Sequence, residues 1–201
     1  GSKGKKNIEG GGSSSVKNIV NSLVSNESVL GIIDFDNKNF GNENILIFGN
    51  RYCLENYVFD PLYISIFMLL ENIPARLKFG FNENETYRDI EKINQNKFQT
   101  IIDSVVSEVS KKIEFKYLAN KESEKTYELL NGMKFVIPTW WFTIPGHTLE
   151  NNIMETFPIL KSYRVKGESY LKRNFIDKVI TVFPEFIQKE VFTIFEIIQE
   201  K

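Results

Sequence analysis

Cysteine and histidine are almost absent from this chain, and their scarcity excludes several kinds of site. Cys53 is the only cysteine and His147 the only histidine among 201 residues. One cysteine cannot form an internal disulfide framework or a cysteine-based zinc site. Because disulfide-poor chains are typical of reducing compartments, we expect a cytoplasmic protein.

Long apolar runs and an excess of charge are missing as well. No stretch of about 18 apolar residues could span a bilayer, and the start of the sequence lacks the apolar core of a signal peptide, so no membrane partner is expected. The 25 basic and 26 acidic residues give a net charge of −1. No global basic field therefore indicates a nucleic-acid partner, although a local basic patch would be compatible with one.

Two further absences narrow the functional classes. No glycine-rich loop is followed by Gly-Lys-Ser/Thr, so the chain has no Walker motif of its own. No internal repeat is visible either. The composition of 42% hydrophobic and 25% charged residues is that of a globular protein, and the length suits one domain or a domain with an inserted subdomain.

The clearest feature that the chain does have is an apolar segment that ends in two carboxylates. Residues 29–33 are Val-Leu-Gly-Ile-Ile, and Asp34 and Asp36 follow at positions i and i+2. Side chains of an extended strand alternate between its faces, so the two aspartates are predicted to point the same way, opposite to Phe35. Carboxylate pairs of this kind suit Mg²⁺. The alternative is a polar strand end that caps the next turn.

A helix and another strand candidate precede this segment. Residues 5–9 form a short lysine-rich strand candidate that ends at Glu9, and residues 16–24 carry apolar side chains at helical spacing. Strand, helix and strand make a βαβ unit, in which a right-handed crossover leaves the strands parallel. We therefore expect Glu9 and the aspartate pair at one carboxyl edge of the sheet. A third strand over residues 44–48 would bring Glu55 to the same edge.

Beyond residue 60 the pattern is mainly helical. Asp60 and Pro61 are typical of a helix start, with Asp60 as the N-cap. Residues 98–113 carry the strongest helical period of the chain. Asn131-Gly132, between two β-prone runs, indicates a β-hairpin. Three more helices are predicted, over residues 148–157, 168–183 and 184–199.

General tendencies assign other side chains to the surface or the core. Trp140 and Trp141 could stack on nucleic-acid bases, but tryptophans in an apolar stretch are more often core residues. Solvated surface positions are predicted for Glu150, Glu155, Lys172 and Arg173. A local positive potential at the crevice could come from Lys5, Lys6, Lys17, Lys38 and Arg51.

Four short motifs together resemble a known family. They are Ile8-Glu9-Gly10, Ile32-Ile33-Asp34-Phe35-Asp36, Leu54-Glu55-Asn56-Tyr57 and Gly146-His147-Thr148-Leu149. A Glu-Gly turn after one strand and Asp-x-Asp after the next, joined by one helix, is similar to the TOPRIM fold. The set resembles the TOPRIM-like domains that accompany AAA or ABC-type ATPases in bacterial defence, with the OLD-type nucleases and the PARIS effector subunit among their relatives.

The resemblance implies a fold class and a division of the chain. The expected fold is α/β, a TOPRIM-like Rossmannoid core with a mainly parallel sheet plus a largely helical insert and C-terminal helices. Residues 3–60 would form the first part of the core and residues 61–125 the helical insert. Residues 126–201 would form a hairpin that returns to the core and the C-terminal helices.

The resemblance also implies an activity. It predicts a nuclease that uses Mg²⁺ or Mn²⁺ to cleave phosphodiester bonds in RNA, with tRNA as one candidate, or in DNA, as the effector of an anti-phage system. A divalent cation offsets charge on the phosphoryl oxygens and lowers the pKa of an attacking water. The implied partners are a nucleic-acid substrate, a separate AAA/ABC-type ATPase subunit and a second copy of the chain in a homodimer. The implied metal ligands are Glu9, Asp34, Asp36 and Glu55, and the implied catalytic residues are Glu9, Asp34, Asp36 and His147.

Two alternatives stay open at this point. His147 either contacts a substrate phosphate or protonates a leaving oxygen, or it only caps or packs near a helix start. The whole chain could instead be a TOPRIM-like scaffold with a degenerate acidic cluster, which acts by binding an ATPase or a phage protein.

Overall fold

The first part of the chain is a helix packed on a small parallel sheet. The computed structural model describes residues 12–23, 30–37, 41–118, 123–164 and 168–199. Helix α1 (Ser13–Ser22) lies against strands β1 (Gly31–Asp34) and β2 (Ile45–Phe48), which pair in parallel with Gly31 opposite Ile45. A Cβ atom on Gly31 would lie 2.8 Å from side-chain atoms of both Val16 and Val20, so only glycine permits this close contact.

The predicted strand–helix–strand order is found as far as the described residues extend. The helix, the strand that ends at Asp34 and the parallel strand after it are confirmed. The predicted strand over residues 5–9, and Glu9 with it, lies outside the described residues. Within the described ranges the parallel sheet has two strands, so the architecture is mixed α/β and the larger parallel sheet stays a prediction.

Helices dominate the remainder. None of those in the described ranges is long and apolar enough to cross a bilayer. The α-helices and strands after β2 are α2 (Leu54–Val58), α3 (Pro61–Leu70), α4 (Gln95–Ser110), β3 (Glu124–Glu128), β4 (Lys134–Pro138), α5 (Thr139–Thr143), α6 (Gly146–Thr156), α7 (Glu168–Phe175) and α8 (Lys189–Gln199). Short 3₁₀ segments cover Pro74–Phe79, Tyr87–Lys92, Phe115–Tyr117, Pro158–Arg164 and Pro184–Phe186.

Helix α3 is the centre of the main hydrophobic core. Its residues from Pro61 to Leu69 are all buried, as expected of a helix that is apolar on every side. The carboxylate of Asp60 accepts a hydrogen bond from the backbone N–H of Leu62 at 3.0 Å, so the predicted N-cap is confirmed. The apolar stripe of α4 packs against this helix and begins at Phe98, which is fully buried.

The hairpin is confirmed with a longer turn than the sequence suggests. Strands β3 and β4 are antiparallel, with Tyr127 opposite Phe135, and both side chains are buried. Five residues rather than two connect the strands, and Gly132 adopts a φ of 82°, a left-handed conformation that favours glycine. The next residues fold inward, and Trp140 and Trp141 are buried as predicted.

The last two predicted helices are each interrupted. The segment 168–183 is α-helical to Phe175 and continues as one π-helical stretch, Ile176–Ile180. The segment 184–199 starts as a 3₁₀ turn, and α8 begins only at Lys189. The break before α8 has a tertiary cause. The side chain of Gln188 accepts a hydrogen bond from the hydroxyl of Tyr63 and donates one to Asp60.

A buried arginine joins these elements. The guanidinium of Arg51 has no exposed surface, and its Nη1 donates to the carboxylate of Asp60 at 2.8 Å. Its Nε donates to Glu190 of α8 at 3.4 Å. The predicted contribution of Arg51 to a positive crevice is therefore wrong, since its guanidinium is out of reach of a substrate and its charge is balanced by Asp60 and Glu190.

Replacing Arg51 tests how strongly the fold depends on this ion pair. Arg51→Met keeps an apolar stem but leaves the Asp60 carboxylate buried without its cation. We expect the free energy of unfolding to fall by about 3–5 kcal/mol. Urea denaturation measures the loss, and Arg51→Met with Asp60→Asn should recover part of it because asparagine is a neutral N-cap. The control is Arg173→Met, which removes an exposed ion pair with Asp177. An equal effect in both single variants would contradict the prediction.

Candidate active site

The end of β1 and the start of α2 meet at one edge of the small sheet. The backbone N–H of Leu54 donates to Oδ1 of Asp34 at 3.1 Å, and the backbone N–H of Asp36 donates to the carbonyl of Tyr52 at 2.7 Å. Parallel strands end at the same edge, so the segment that leaves β2 crosses the end of β1 directly. These two contacts fix Glu55, the next residue of α2, close to Asp34.

Asp36 reaches the site by a turn rather than along an extended strand. Strand β1 ends at Asp34, and Asp36 and Asn37 have φ values of 49° and 55°. The extended backbone predicted for this pair is therefore wrong at Asp36, and the alternation of faces along a strand does not apply there. Asp34 and Asp36 nevertheless line one cavity of about 250 Å³, which Gly12 of the α1 terminus also lines.

Glu55 is paired with a lysine that is distant in sequence. The Nζ of Lys172 on α7 donates to Oε1 of Glu55 at 2.5 Å, and both side chains are largely buried. The predicted solvated position of Lys172 is therefore wrong. The next residue, Arg173, for which a solvated position was also predicted, does lie on the surface and pairs with Asp177 at 3.3 Å.

The start of α6 packs directly on Glu55. A Cβ atom on Gly146 would lie 2.7 Å from Cβ of Glu55 and 2.9 Å from its Oε2. Only glycine allows this contact. Glu150 follows at i+4, and residues four apart share a helix face, so the Gly146 contact also turns Glu150 toward α2.

Glu150 is a buried acid, not the surface residue that the sequence predicts. It is 2% exposed, and within the described part of the chain its Oε1 has no hydrogen-bond partner. The nearest cation is Arg164, whose Nε lies 3.8 Å from that oxygen. Burial raises the pKa of Glu150, partly offset by the positive charges of Arg164 and Lys172. Glu155, on the outer face of the same helix, is exposed as predicted.

The carboxylates influence one another's protonation. Burial raises the pKa of Asp34, and the negative charges of Glu55 and Asp36 add to this effect against the hydrogen bond from Leu54. Burial would also raise the pKa of Glu55, but hydrogen bonds from Cys53 and Lys172 outweigh it and the pKa is lowered. Lys172 thus holds Glu55 ionised in surroundings that disfavour negative charge.

The remaining predicted site residues contribute less. His147 is exposed at the start of α6, beside Glu150 in the helix, and its positive form would favour ionised Glu150. Glu9 lies outside the described residues. Sequence reasoning missed both Lys172 and Glu150, and the one signal for Glu150 was its i+4 spacing from Gly146.

The donor chemistry of this site suits Mg²⁺, but its carboxylates do not surround one ion. Among the residues that the structure describes, no three His, Cys, Asp or Glu side chains come close enough to share a metal. Lys172 already balances Glu55, which leaves Asp34 and Asp36 as the pair with a common cavity. A carboxylate pair is sufficient for Mg²⁺ in many proteins, since this ion keeps several waters and also binds substrate phosphate.

Comparison with known proteins gives no independent assignment. No family model, curated protein or solved structure matches the chain. The resemblance to TOPRIM-like domains therefore stays a prediction that rests on the four motifs.

The dependence of Glu55 on Lys172 can be measured directly. In Lys172→Met the hydrogen bonds that lower the pKa of Glu55 are reduced while burial persists, so we expect this pKa to rise. A pH titration of the side-chain carboxyl ¹³C resonances reports it. The stabilisation by the Glu55–Lys172 pair should be present at neutral pH and disappear as the pH falls through the lowered pKa of Glu55.

Lys178→Met is the matched control. Lys178 pairs with Glu71 at 2.6 Å, and hydrogen bonds from Lys178 and Tyr163 lower the pKa of Glu71 although burial would raise it. This variant should raise the pKa of Glu71 and leave Glu55 unchanged. A pKa of Glu55 that is the same in wild type and Lys172→Met would contradict the pairing.

Proposed function

We propose that the cluster around Asp34 is the active site of a TOPRIM-like nuclease that uses Mg²⁺ or Mn²⁺ to hydrolyse phosphodiester bonds. The observation that carries the proposal is the convergence of Asp34, Asp36, Glu55 and Glu150 on one region with Lys172 between them. Four acids gathered from three elements of the chain are costly unless something positive joins them.

Asp34 and Asp36 are assigned to the cation. Both line one cavity and neither is fully buried; burial raises the pKa of Asp34, and the negative charges of Glu55 and Asp36, which a cation would offset, raise it further. When bound, a divalent cation supplies charge neutralisation at the phosphoryl oxygens and a more acidic water. Glu9 completes this ligand set in the proposal, on the strength of the sequence motif alone.

Lys172 is assigned to the phosphate. Its ammonium is fixed by Glu55 at 2.5 Å and keeps further donors, since a lysine carries three N–H groups. A positioned cation that meets developing negative charge lowers the barrier to phosphoryl transfer. Glu55 then acts mainly by orienting Lys172, and Glu150 adds a second negative charge that interacts with the same ammonium.

The substrate and partners follow from the resemblance. We propose RNA, with tRNA as a candidate, or DNA as the substrate, and an anti-phage effector role alongside a separate AAA/ABC-type ATPase. His147 remains assigned as an exposed group that could contact the substrate backbone at the start of α6.

A second function is favoured by one specific observation. The described residues offer no three-ligand metal group, and Lys172 occupies Glu55. In a catalytically inactive scaffold, a lysine could take over from a metal ion the task of balancing the charge of the carboxylates. Such a protein would act by binding its ATPase or a phage protein, with the acidic cluster as a structural remnant.

Cation binding separates the two functions. Asp34→Asn with Asp36→Asn removes the charges of the proposed ligand pair while keeping side-chain volume. We expect Mn²⁺ binding in calorimetry to disappear and the rate of cleavage of tRNA or plasmid to fall by about 100-fold or more, since even indirect ligand partners contribute 10–100-fold. Asp103→Asn, at an exposed position of α4, is the control and should behave as wild type.

A wild-type chain that binds no Mg²⁺ or Mn²⁺ at millimolar concentration, and cleaves neither substrate, would reject the nuclease and leave the scaffold. Retained cleavage in Glu9→Ala would remove only Glu9 from the ligand set.

Glu150 allows a test in which activity and stability move in opposite directions. Glu150→Gln removes a buried charge whose Oε1 lacks a hydrogen bond, and the ion pair lost with it is weak, since Arg164 lies 3.8 Å away and is partly solvated, so we expect the stability toward urea to be unchanged or higher. The cleavage rate should fall by about 10–100-fold because Lys172 loses a neighbouring charge. Glu155→Gln, on the exposed face of α6, should alter neither quantity. A loss of stability without a loss of cleavage would assign Glu150 a purely structural role.

A further inference from the structure

An apolar cavity opens on the surface beside α8. Its volume is about 220 Å³, and nearly all of its wall is apolar. Four of the side chains that line it are large, hydrophobic and exposed by 37–51%: Leu54, Ile176, Phe192 and Phe195. These four residues, which we call the α8 patch, surround one opening and are contributed by α2, by the π-helical stretch and by α8.

Helix α8 is unusually apolar for its degree of exposure. Of its eleven residues, all of them described, Ile194 alone is buried. An arc opposite Ile194 carries Lys189, Phe192 and Glu196, at spacings of three and four residues that place them on one face. The face therefore presents a basic residue at one end, an aromatic residue near the middle and an acidic residue at the other end.

We propose that the α8 patch is the interface between two copies of this chain, with their α8 helices antiparallel across a two-fold axis. This inference does not depend on the proposed nuclease activity.

The charge pattern of α8 favours a second copy over another occupant. A two-fold axis that crosses the helix between Phe192 and Thr193 puts Lys189 of each copy opposite Glu196 of the other, because each of these residues lies three and a half positions from that point. The same surface is then self-complementary, as an isologous interface requires. Lys189 is 61% exposed while it pairs with Glu128 at 3.2 Å, so its ammonium remains open on the solvent side.

The extent of the patch agrees with a modest dimer. Two phenylalanines that are about half exposed present on the order of 200 Å² together, and Leu54 and Ile176, which are smaller and less exposed, add somewhat less than this. A stable interface buries about 800 Å² per partner, of which somewhat more than half is apolar. The patch thus supplies the apolar centre, and the charged ends of α8 belong to the polar rim.

The cavity also gives the proposed interface a complementary shape, in addition to its apolar area. Phe195 borders the opening, and in this antiparallel pair it meets the second copy at the height of Glu190, between the cavity-lining residues Gln188 and Val191. An aromatic side chain that enters a desolvated pocket is the common form of an interface hot spot. The walls include Leu54 and Tyr57, which flank Glu55 in α2, so this contact would also brace the helix that carries the site.

Sedimentation velocity over a range from low micromolar to near-millimolar protein tests the proposal. The wild-type chain should shift from monomer to dimer. Phe192→Glu and Phe195→Glu should each weaken the dimer by about 30-fold or more. Phe115→Glu, at an exposed phenylalanine away from the cavity, is the control and should dimerise like wild type. Circular dichroism should be unchanged, and so should urea midpoints measured at low micromolar protein, at which the wild type is monomeric, because the substituted side chains are partly exposed.

Charge exchange tests the antiparallel arrangement. Lys189→Glu and Glu196→Lys should each weaken the dimer, since each places like charges opposite one another twice. The combination Lys189→Glu with Glu196→Lys should restore it. A combination as weak as the single variants would overturn the arrangement. A wild type that stays monomeric throughout would overturn the dimer and leave the α8 patch to a different apolar partner.

Discussion

The fold depends first on one buried charge. The Arg51 guanidinium is fully enclosed, and a charge in such a place is tolerated only when oppositely charged and polar groups surround it. Its Nη1 donates to Asp60 and to the carbonyl of Asn56, and its Nε donates to Glu190. Both negative partners raise the pKa of Arg51 although burial alone would lower it.

The rings that stack on the guanidinium within 4.8 Å belong to Tyr57, Tyr127 and Phe142. The end of β2, the start of α3, the hairpin, α5 and α8 must therefore all adopt positions that satisfy this one side chain.

The candidate site inherits its geometry from the same constraint. Arg51 is followed by Tyr52, whose backbone N–H donates to the carbonyl of Phe142 at 2.6 Å and whose carbonyl receives the N–H of Asp36. Two residues later Leu54 donates to Asp34, and Glu55 comes next. The segment that gathers the carboxylates is thus anchored at one end in the main core. Among the described residues, the small sheet has a separate core of Val20, Ile33 and Ile45 with two partly buried neighbours, so fewer buried side chains are seen to support this end of the site.

Sequence patterns predicted the elements whose causes are local. The N-cap at Asp60, the apolar stripe of α4 and the Asn131-Gly132 hairpin each depend on residues a few positions apart, and each was found. The pairing of Glu55 with Lys172 joins residues 117 positions apart, and no periodicity in either segment indicates it. The prediction that Arg51 supplies positive potential to the crevice failed for the same reason, since the groups that compensate its burial include Glu190 and Tyr127 from distant parts of the chain. The break before α8 arises from Gln188, whose partners lie in α3 and at its N-cap.

The two buried charge clusters differ in a way that indicates their roles. Around Arg51 nearly every polar atom has a partner, and the remaining nitrogen, Nη2, lies among three aromatic rings whose faces attract cations. Around Asp34 the balance is incomplete, because Lys172 and Arg164 are two cations among four acids and Glu150 keeps an oxygen without a hydrogen bond. A cluster that only stabilised the fold would gain by replacing Glu150 with a neutral residue, since a buried carboxylate whose cation lies 3.8 Å away is poorly compensated and costs stability. An incomplete balance is expected where the missing positive charge arrives with a ligand. The cluster around Arg51 therefore stabilises the fold, and the cluster around Asp34 is the one that we propose as the active site.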